Sequence, residues 1–128
     1  MKNVSLTSNN PEKKQPSNLE AEQALLGSIL VNNDIIDEIA NIINPLTFYD
    51  PAHTKIYEVI EILNNKGMVA NPITLKNYFE KDNMLEEVGG TEYLVKLTRF
   101  SGSSKQAVDY AKVIHEMYLR RELILISD

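Results

Sequence analysis

Cysteine is missing from all 128 residues, so disulfides and thiolate metal sites are excluded. Histidine is nearly missing. The two present, His53 and His115, are too far apart in sequence and too few to make a metal centre without carboxylate help. None of the five glycines, Gly27, Gly67, Gly89, Gly90 and Gly102, stands at Gly-x-x-x-x-Gly-Lys-Ser/Thr spacing, so the chain has no phosphate loop. No serine sits in a Gly-x-Ser-x-Gly elbow, which leaves Ser28 and Ser101 to Ser104 as nucleophiles by residue type alone. There is no secretory leader and no apolar run of 18 residues, and the expected location is cytoplasmic. No stretch alternates with period two long enough to argue for a sheet.

Positive charge is scarce where it would matter for nucleic acid. Residues 1 to 18 hold Lys2, Lys13 and Lys14 against Glu12, a balance of +2, which leaves the other 110 residues at −7. Within that acidic body Arg120-Arg121 is the one basic pair. A duplex binder works by neutralising phosphates with clustered Lys and Arg, so direct nucleic acid binding is not expected. Residues 1–16 mix Asn, Ser, Lys, Gln and Pro, with Val4 and Leu6 as their only aliphatic anchors, and read as a disordered leader; an ordered recognition arm is the alternative.

What remains is 43% apolar and 24% charged, the balance of one soluble domain. Its apolar residues recur at helical spacing between recognisable caps. Ser17 and Glu20 have the spacing of a capping box, and Leu19, Leu26 and Leu30 form an inward stripe flanked by Leu25 and Ile29. Asn33 is placed to cap a second helix carrying Ile35, Ile39 and Ile42, which Asn44-Pro45 stops. Asp50 caps a third, with Pro51 at the first helical position, where its missing N–H costs nothing. Ile56, Val59, Ile60 and Leu63 form its buried face, and Lys66-Gly67 ends it. Asn71-Pro72 repeats the device for Leu75, Tyr78 and Phe79. Gly89-Gly90 makes the next joint, before Tyr93, Leu94 and Leu97.

The last helix is expected from Ser104 as cap onward, with Ala107, Ala111, Ile114, Tyr118 and Leu125 on one core arc. Leu119, Leu123 and Ile126 fall on a different side, and this second apolar stripe is the candidate oligomer interface. The chain stops at Asp128 without a residue that ends a helix, which predicts a helix cut within its length. The whole reads as all-α: a compact orthogonal bundle of about five short helices (17–104), then a long C-terminal helix (105–128).

Three blocks, Ser17 to Leu30, Phe48-Tyr-Asp-Pro-Ala-His53, and Leu85-Glu-Glu-Val-Gly-Gly-Thr-Glu-Tyr-Leu94, resemble in order and spacing the N-terminal domain of the DnaB-type replicative DNA helicases. Ser17, Glu20, Asp50, Pro51, His53, Gly89 and Gly90 carry that signature. The resemblance implies a collar domain without a reaction of its own. Its partners would be further copies of itself, as a dimer and as a hexamer built from three dimers, together with primase and a helicase loader. ATP and Mg would belong to a RecA-like motor C-terminal to the matched region, in a parent enzyme that unwinds duplex DNA 5′ to 3′. The last helix would continue into a helical hairpin joining two subunits. Two departures stand out: Asn71 replaces a frequently acidic cap, and Phe100 to Ser104 lacks an expected proline, which predicts a looser hinge.

Each singled-out residue also has a structural reading. His53, three residues after a cap, is placed to meet Asp50, Tyr49 or a nearby carbonyl, and lacks the nucleophile and orienting partner of a catalytic histidine. The pairs Glu86-Glu87, Glu58-Glu61 and Asp34-Asp37 flank apolar stripes as solvated faces do. A helix-turn-helix regulator is the rival class, opposed by the acidity of the body. A free-standing adaptor with the same collar fold is the other.

Overall fold

The computed structural model describes residues 17–127. The leader expected over residues 1–16 lies outside them. Six α-helices are formed: α1 Leu19–Val31, α2 Ile35–Ile39, α3 Pro51–Asn65, α4 Pro72–Lys81, α5 Gly90–Thr98 and α6 Ser104–Ser127. Two 3₁₀ turns, Pro45–Thr47 and Glu86–Val88, precede α3 and α5. There is no strand among the described residues, and the all-helical expectation holds.

Helix α1 is the hub. It packs against α2, α3, α5 and α6, and its residues Ala24 to Leu30 are all buried. A helix enclosed on nearly every side has no outer face to reserve for polar groups, which corrects the one-sided stripe read from sequence. Leu19, assigned to that stripe, is 43% exposed. The sharpest contact is at Gly27: a Cβ there would lie 1.9 Å from the Leu97 carbonyl oxygen, so only glycine lets α5 approach so closely.

Several caps differ from expectation by one residue. Asn18, not Ser17, caps α1 by accepting from the Ala21 amide, and the Ser17/Glu20 box is not formed. Asn33 does not cap α2; its amide group donates to the carbonyls of Ile29 and Ala70 and accepts from the Ala70 N–H, stapling the end of α1 to the buried Ala70. α6 is capped by Ser103, whose hydroxyl accepts from Gln106 N–H while Gln106 Oε1 accepts from Ser103 N–H. Asp50 caps α3 and Asn71 caps α4, as read, and the structure adds a capping box between Asn71 and Thr74.

The hinge from Phe100 to Ser104, expected to be loose, is tied down. Buried Ser28 donates to Ala24 O and accepts from Gly102 N–H at 2.8 Å. That hydroxyl is fully used in joining α1 to the start of α6.

Candidate protein-interaction site

Five of the seven signature residues, Asp50, Pro51, His53, Gly89 and Gly90, meet at one joint beside α1. Glu22 is 1% exposed, and a carboxylate so buried needs several donors. It has them: the amides of Tyr49 at 2.7 Å and Asp50 at 3.3 Å, and His53 Nδ1 at 2.7 Å. On its other side, His53 Nε2 is 2.6 Å from the Tyr93 hydroxyl, which also accepts from Gln23 Nε2. One tautomer satisfies every group: Nδ1–H donates to Glu22, and Nε2 accepts from the Tyr93 O–H. Burial raises the Tyr93 pKa; the Gln23 bond works the other way, and the charges of Asp50 and Glu22 add to the rise. The phenol therefore keeps the proton that this arrangement requires.

The local geometry serves that network. Asp50 and Pro51 start α3 so that His53 falls one turn in, facing α1. Gly89 and Gly90 both have positive φ, 103° and 76°, where glycine is favoured. A Cβ on Gly89 would meet the Tyr93 side chain at 2.7 Å, so the glycine leaves room for the ring that stacks on His53 at 5.9 Å. The structure thus brings Asp50, Pro51, His53, Gly89 and Gly90 to one joint. Ser17 and the exposed Glu20 take no part in it. With a nearly inaccessible carboxylate and histidine, and a tyrosine occupied on both sides, the cluster is built to hold three helices together.

Sequence reasoning missed Glu22, Gln23 and Tyr93 as its members. Glu22 looks in sequence like any acidic residue of a first turn, and its partners come from two other helices, so no local signal marks it. Serine Ser28 is absorbed by the hinge. Among the carboxylate pairs, Asp34, Asp37, Glu58, Glu86 and Glu87 are exposed as read, while Glu61 is half-buried, with its pKa raised by desolvation and by the charge of Glu58. Among the described residues no three His, Asp or Glu side chains are gathered to hold a metal ion.

The exposed apolar residues of α6 are the other feature. Ala107, Ala111 and Ile114 sit in the core, as the arc predicts. Beyond them the helix leaves the bundle. Leu119, Leu123 and Ile126 are 47%, 65% and 80% exposed. Leu125, assigned to the core arc, is 63% exposed as well, which corrects that assignment. Arg121 holds the departing helix to the head: its guanidinium donates to Thr47 O at 2.8 Å and lies over the rings of Tyr49 and Tyr118. One member of the only basic pair in the body is thereby engaged within the fold.

The class so defined is an all-helical domain whose buried polar groups hold its joints and whose last helix ends in a run of exposed apolar side chains. Comparison with known proteins identifies it further. The DnaB-like helicase N terminal domain profile matches residues 14–116, and the chain belongs to that family. It is 41% identical over 113 residues to the replicative DNA helicase DnaB of Rickettsia felis, covering 88% of this chain and 23% of that protein. The replicative DNA helicase DnaC of Bacillus subtilis is 31% identical, over 88% of this chain and 25% of its own length. The crystal structure of the N-terminal domain of DnaB helicase from Mycobacterium tuberculosis superposes with a TM-score of 0.85 at 31% identity, covering 89% of this chain and 83% of that one. The chain spans about a quarter of the length of these helicases.

Proposed function

We propose that this chain acts as the amino-terminal collar of a replicative DNA helicase, a protein–protein module without a reaction of its own. The observation that carries the reading is the protruding end of α6, where Leu119, Leu123 and Ile126 are exposed side by side on a chain of this family. Apolar residues gathered on one side of a helix that has left its bundle are suited to a second copy of the same helix. On this reading the parent protein pairs these domains into dimers, three dimers form the hexameric collar, and the collar is the docking point for primase and accessible to a helicase loader. ATP and Mg are used by a motor domain outside the residues described, which unwinds DNA 5′ to 3′ in the cytoplasm. The chain itself takes no cofactor and contacts neither DNA nor membrane; among the described residues no helix is long and apolar enough to cross one.

A fluorescence anisotropy titration with labelled primase from the same cell tests the docking role. Saturable binding to the full-length helicase, competed by an excess of this domain in its dimeric form, is expected. Binding that survives removal of the domain from the helicase would place primase elsewhere.

A further inference from the structure

A groove of about 480 Å³ lies between α3 and α4 and shares no lining residue with the Glu22 network or with α6. Sites that hold a ligand commonly enclose about 300–1,000 Å³. Val59 and Phe79 are its buried floor, and Ile62, Tyr78 and Met84 are half-buried along it, so the trough offers aliphatic and aromatic surface. Its rim is acidic. Glu58, Glu61 and Asp82 border it, with Lys55 as the single cation among the lining residues. The ion pairs formed among the described residues are His53–Glu22 and Arg120–Glu116, so none of the three carboxylates is neutralised by Lys55 or by another side chain. Glu58 and Glu61 lie one turn apart on α3, where like charges repel. Burial first, and then the charge of Glu58, raise the pKa of Glu61, the mark of a carboxylate without a cation beside it.

Charge decides between the possible occupants. A phosphate backbone or an anionic membrane would bring more negative charge to this rim. A second copy of the chain brings the wrong surfaces. The exposed end of its α6 has no positive charge to spare, since Arg120 is paired with Glu116 and Arg121 is held by Thr47 O and the ring of Tyr49. The outer face of its α5 has Lys96 and Arg99 but Val95 as its one aliphatic anchor, beside Glu92. The trough instead suits another protein that carries a row of aliphatic side chains flanked by lysine or arginine. A channel between two helices receives such a row most readily as a helix, through anchors at i, i+3 or i+4, and i+7. We propose that the α3/α4 groove docks a cationic amphipathic helix of a protein partner, its aliphatic face on Val59, Ile62, Phe79 and Met84 and its basic side chains over Glu58, Glu61 and Asp82. This docking does not depend on the pairing of copies through α6.

The probe for the test is a fluorescein-labelled peptide of about 18 residues with leucine at the a and d positions of its heptads and lysine on the flanking positions. A scrambled peptide of the same composition, equal in charge, is the control. Saturable binding to the full chain is expected, with the amide signals of Ile62, Phe79 and Met84 the most perturbed. The scrambled peptide should bind at least about tenfold more weakly, because its leucines do not share a face. Glu58→Gln/Glu61→Gln should weaken the patterned peptide about tenfold, as should Ile62→Ser with the charge unchanged, while the circular dichroism of each variant stays that of the folded chain. Salt at about 1 M, where the screening length falls to about 3 Å, should weaken it as well. Equal binding of the two peptides would reduce the contact to general charge attraction and overturn the proposal. So would perturbations centred on Phe100 and Tyr110 or on the end of α6, or binding unchanged by both sets of substitutions. Spermidine reproducing the same perturbations at the same concentration would assign the groove to a small polycation and overturn helix docking. Shifts at Ile62, Phe79 and Met84 on concentrating the protein alone would give the groove to a second copy and overturn it too.

Discussion

Oε1 of Glu22 lies 2.7 Å from Nδ1 of His53, and both residues are sealed from solvent at 1% exposure, 31 positions apart in sequence. This contact joins α1 to the start of α3, and Tyr93 extends it to α5. Removing the imidazole leaves a buried carboxylate short of a donor. His53→Ala is expected to cost about 3 kcal/mol or more in urea unfolding, since hydrogen bonds to charged groups and broken buried pairs lie in that range. Tyr93→Phe, which deletes one neutral bond, should cost about 1 kcal/mol. The double change Glu22→Ala/His53→Ala should cost less than the sum of its parts, by at least about 0.5 kcal/mol. Strict additivity would show that the two side chains do not act together.

Gly27→Ala presents a second test, because helix propensity and packing predict opposite signs. Alanine is the better helix former by about 1 kcal/mol. The new methyl group would strike the Leu97 carbonyl, a backbone atom that cannot swing aside. Overpacking of this kind usually costs about 1–3 kcal/mol. A net loss of stability and a lower Tm are expected; a higher Tm would mean that α1 and α5 are not so closely apposed.

Glu61 gives a pH dependence. Its raised pKa means that the fold prefers the protonated form, so stability is fully present below the ordinary carboxylate value of 4.5 and declines as pH rises through the folded-state pKa. Glu61→Gln should therefore be more stable than the parent at pH 7, with the difference vanishing toward pH 3. Thermal melts of both chains across that range check it. An advantage that grows on acidification would contradict the assignment.

Arg121 anchors α6 to the 3₁₀ turn before α3. Arg121→Ala should weaken the fold by about 2 kcal/mol, the sum expected of one charged hydrogen bond and its ring contacts, and should speed amide exchange in α6 beyond Ile114. Arg121→Lys should recover little, since an ammonium cannot present a planar face to Tyr49 and Tyr118. Full recovery by lysine would reduce the contact to simple charge.

The elements legible in the sequence are those fixed by neighbours in the chain. Asp50-Pro51 and Asn71-Pro72 start helices because a cap and a proline act within one turn, and Ile56, Ile60 and Leu63 reveal a buried face by their spacing. The errors arose where two adjacent residues had nearly equal claims. Asn18 displaced Ser17, and Ser103 displaced Ser104 because Gln106 stands three residues after it. The Glu22, His53 and Tyr93 network was out of reach for a different reason: its members come from three helices, and no local pattern distinguishes a buried glutamate from a solvated one in a first turn. Leu125 was misplaced because a helical arc gives the direction of a side chain and not whether a neighbour covers it.

The central claim is that the end of α6 joins two copies of this domain. Sedimentation velocity over a range of concentrations, on this chain and on one that continues beyond Asp128 in the parent protein, tests it most directly. Stable interfaces bury roughly 1,200–2,000 Å², more than Leu119, Leu123 and Ile126 supply alone, so the 128-residue chain should sediment mainly as a monomer and the longer one as a dimer. Leu123→Glu should return the longer chain to monomer while its circular dichroism remains that of the folded head, because the core residues Ala111 and Ile114 lie on another side of the helix. A tight dimer of the short chain that persists with glutamate at position 123 would contradict the account and place the interface elsewhere on the head.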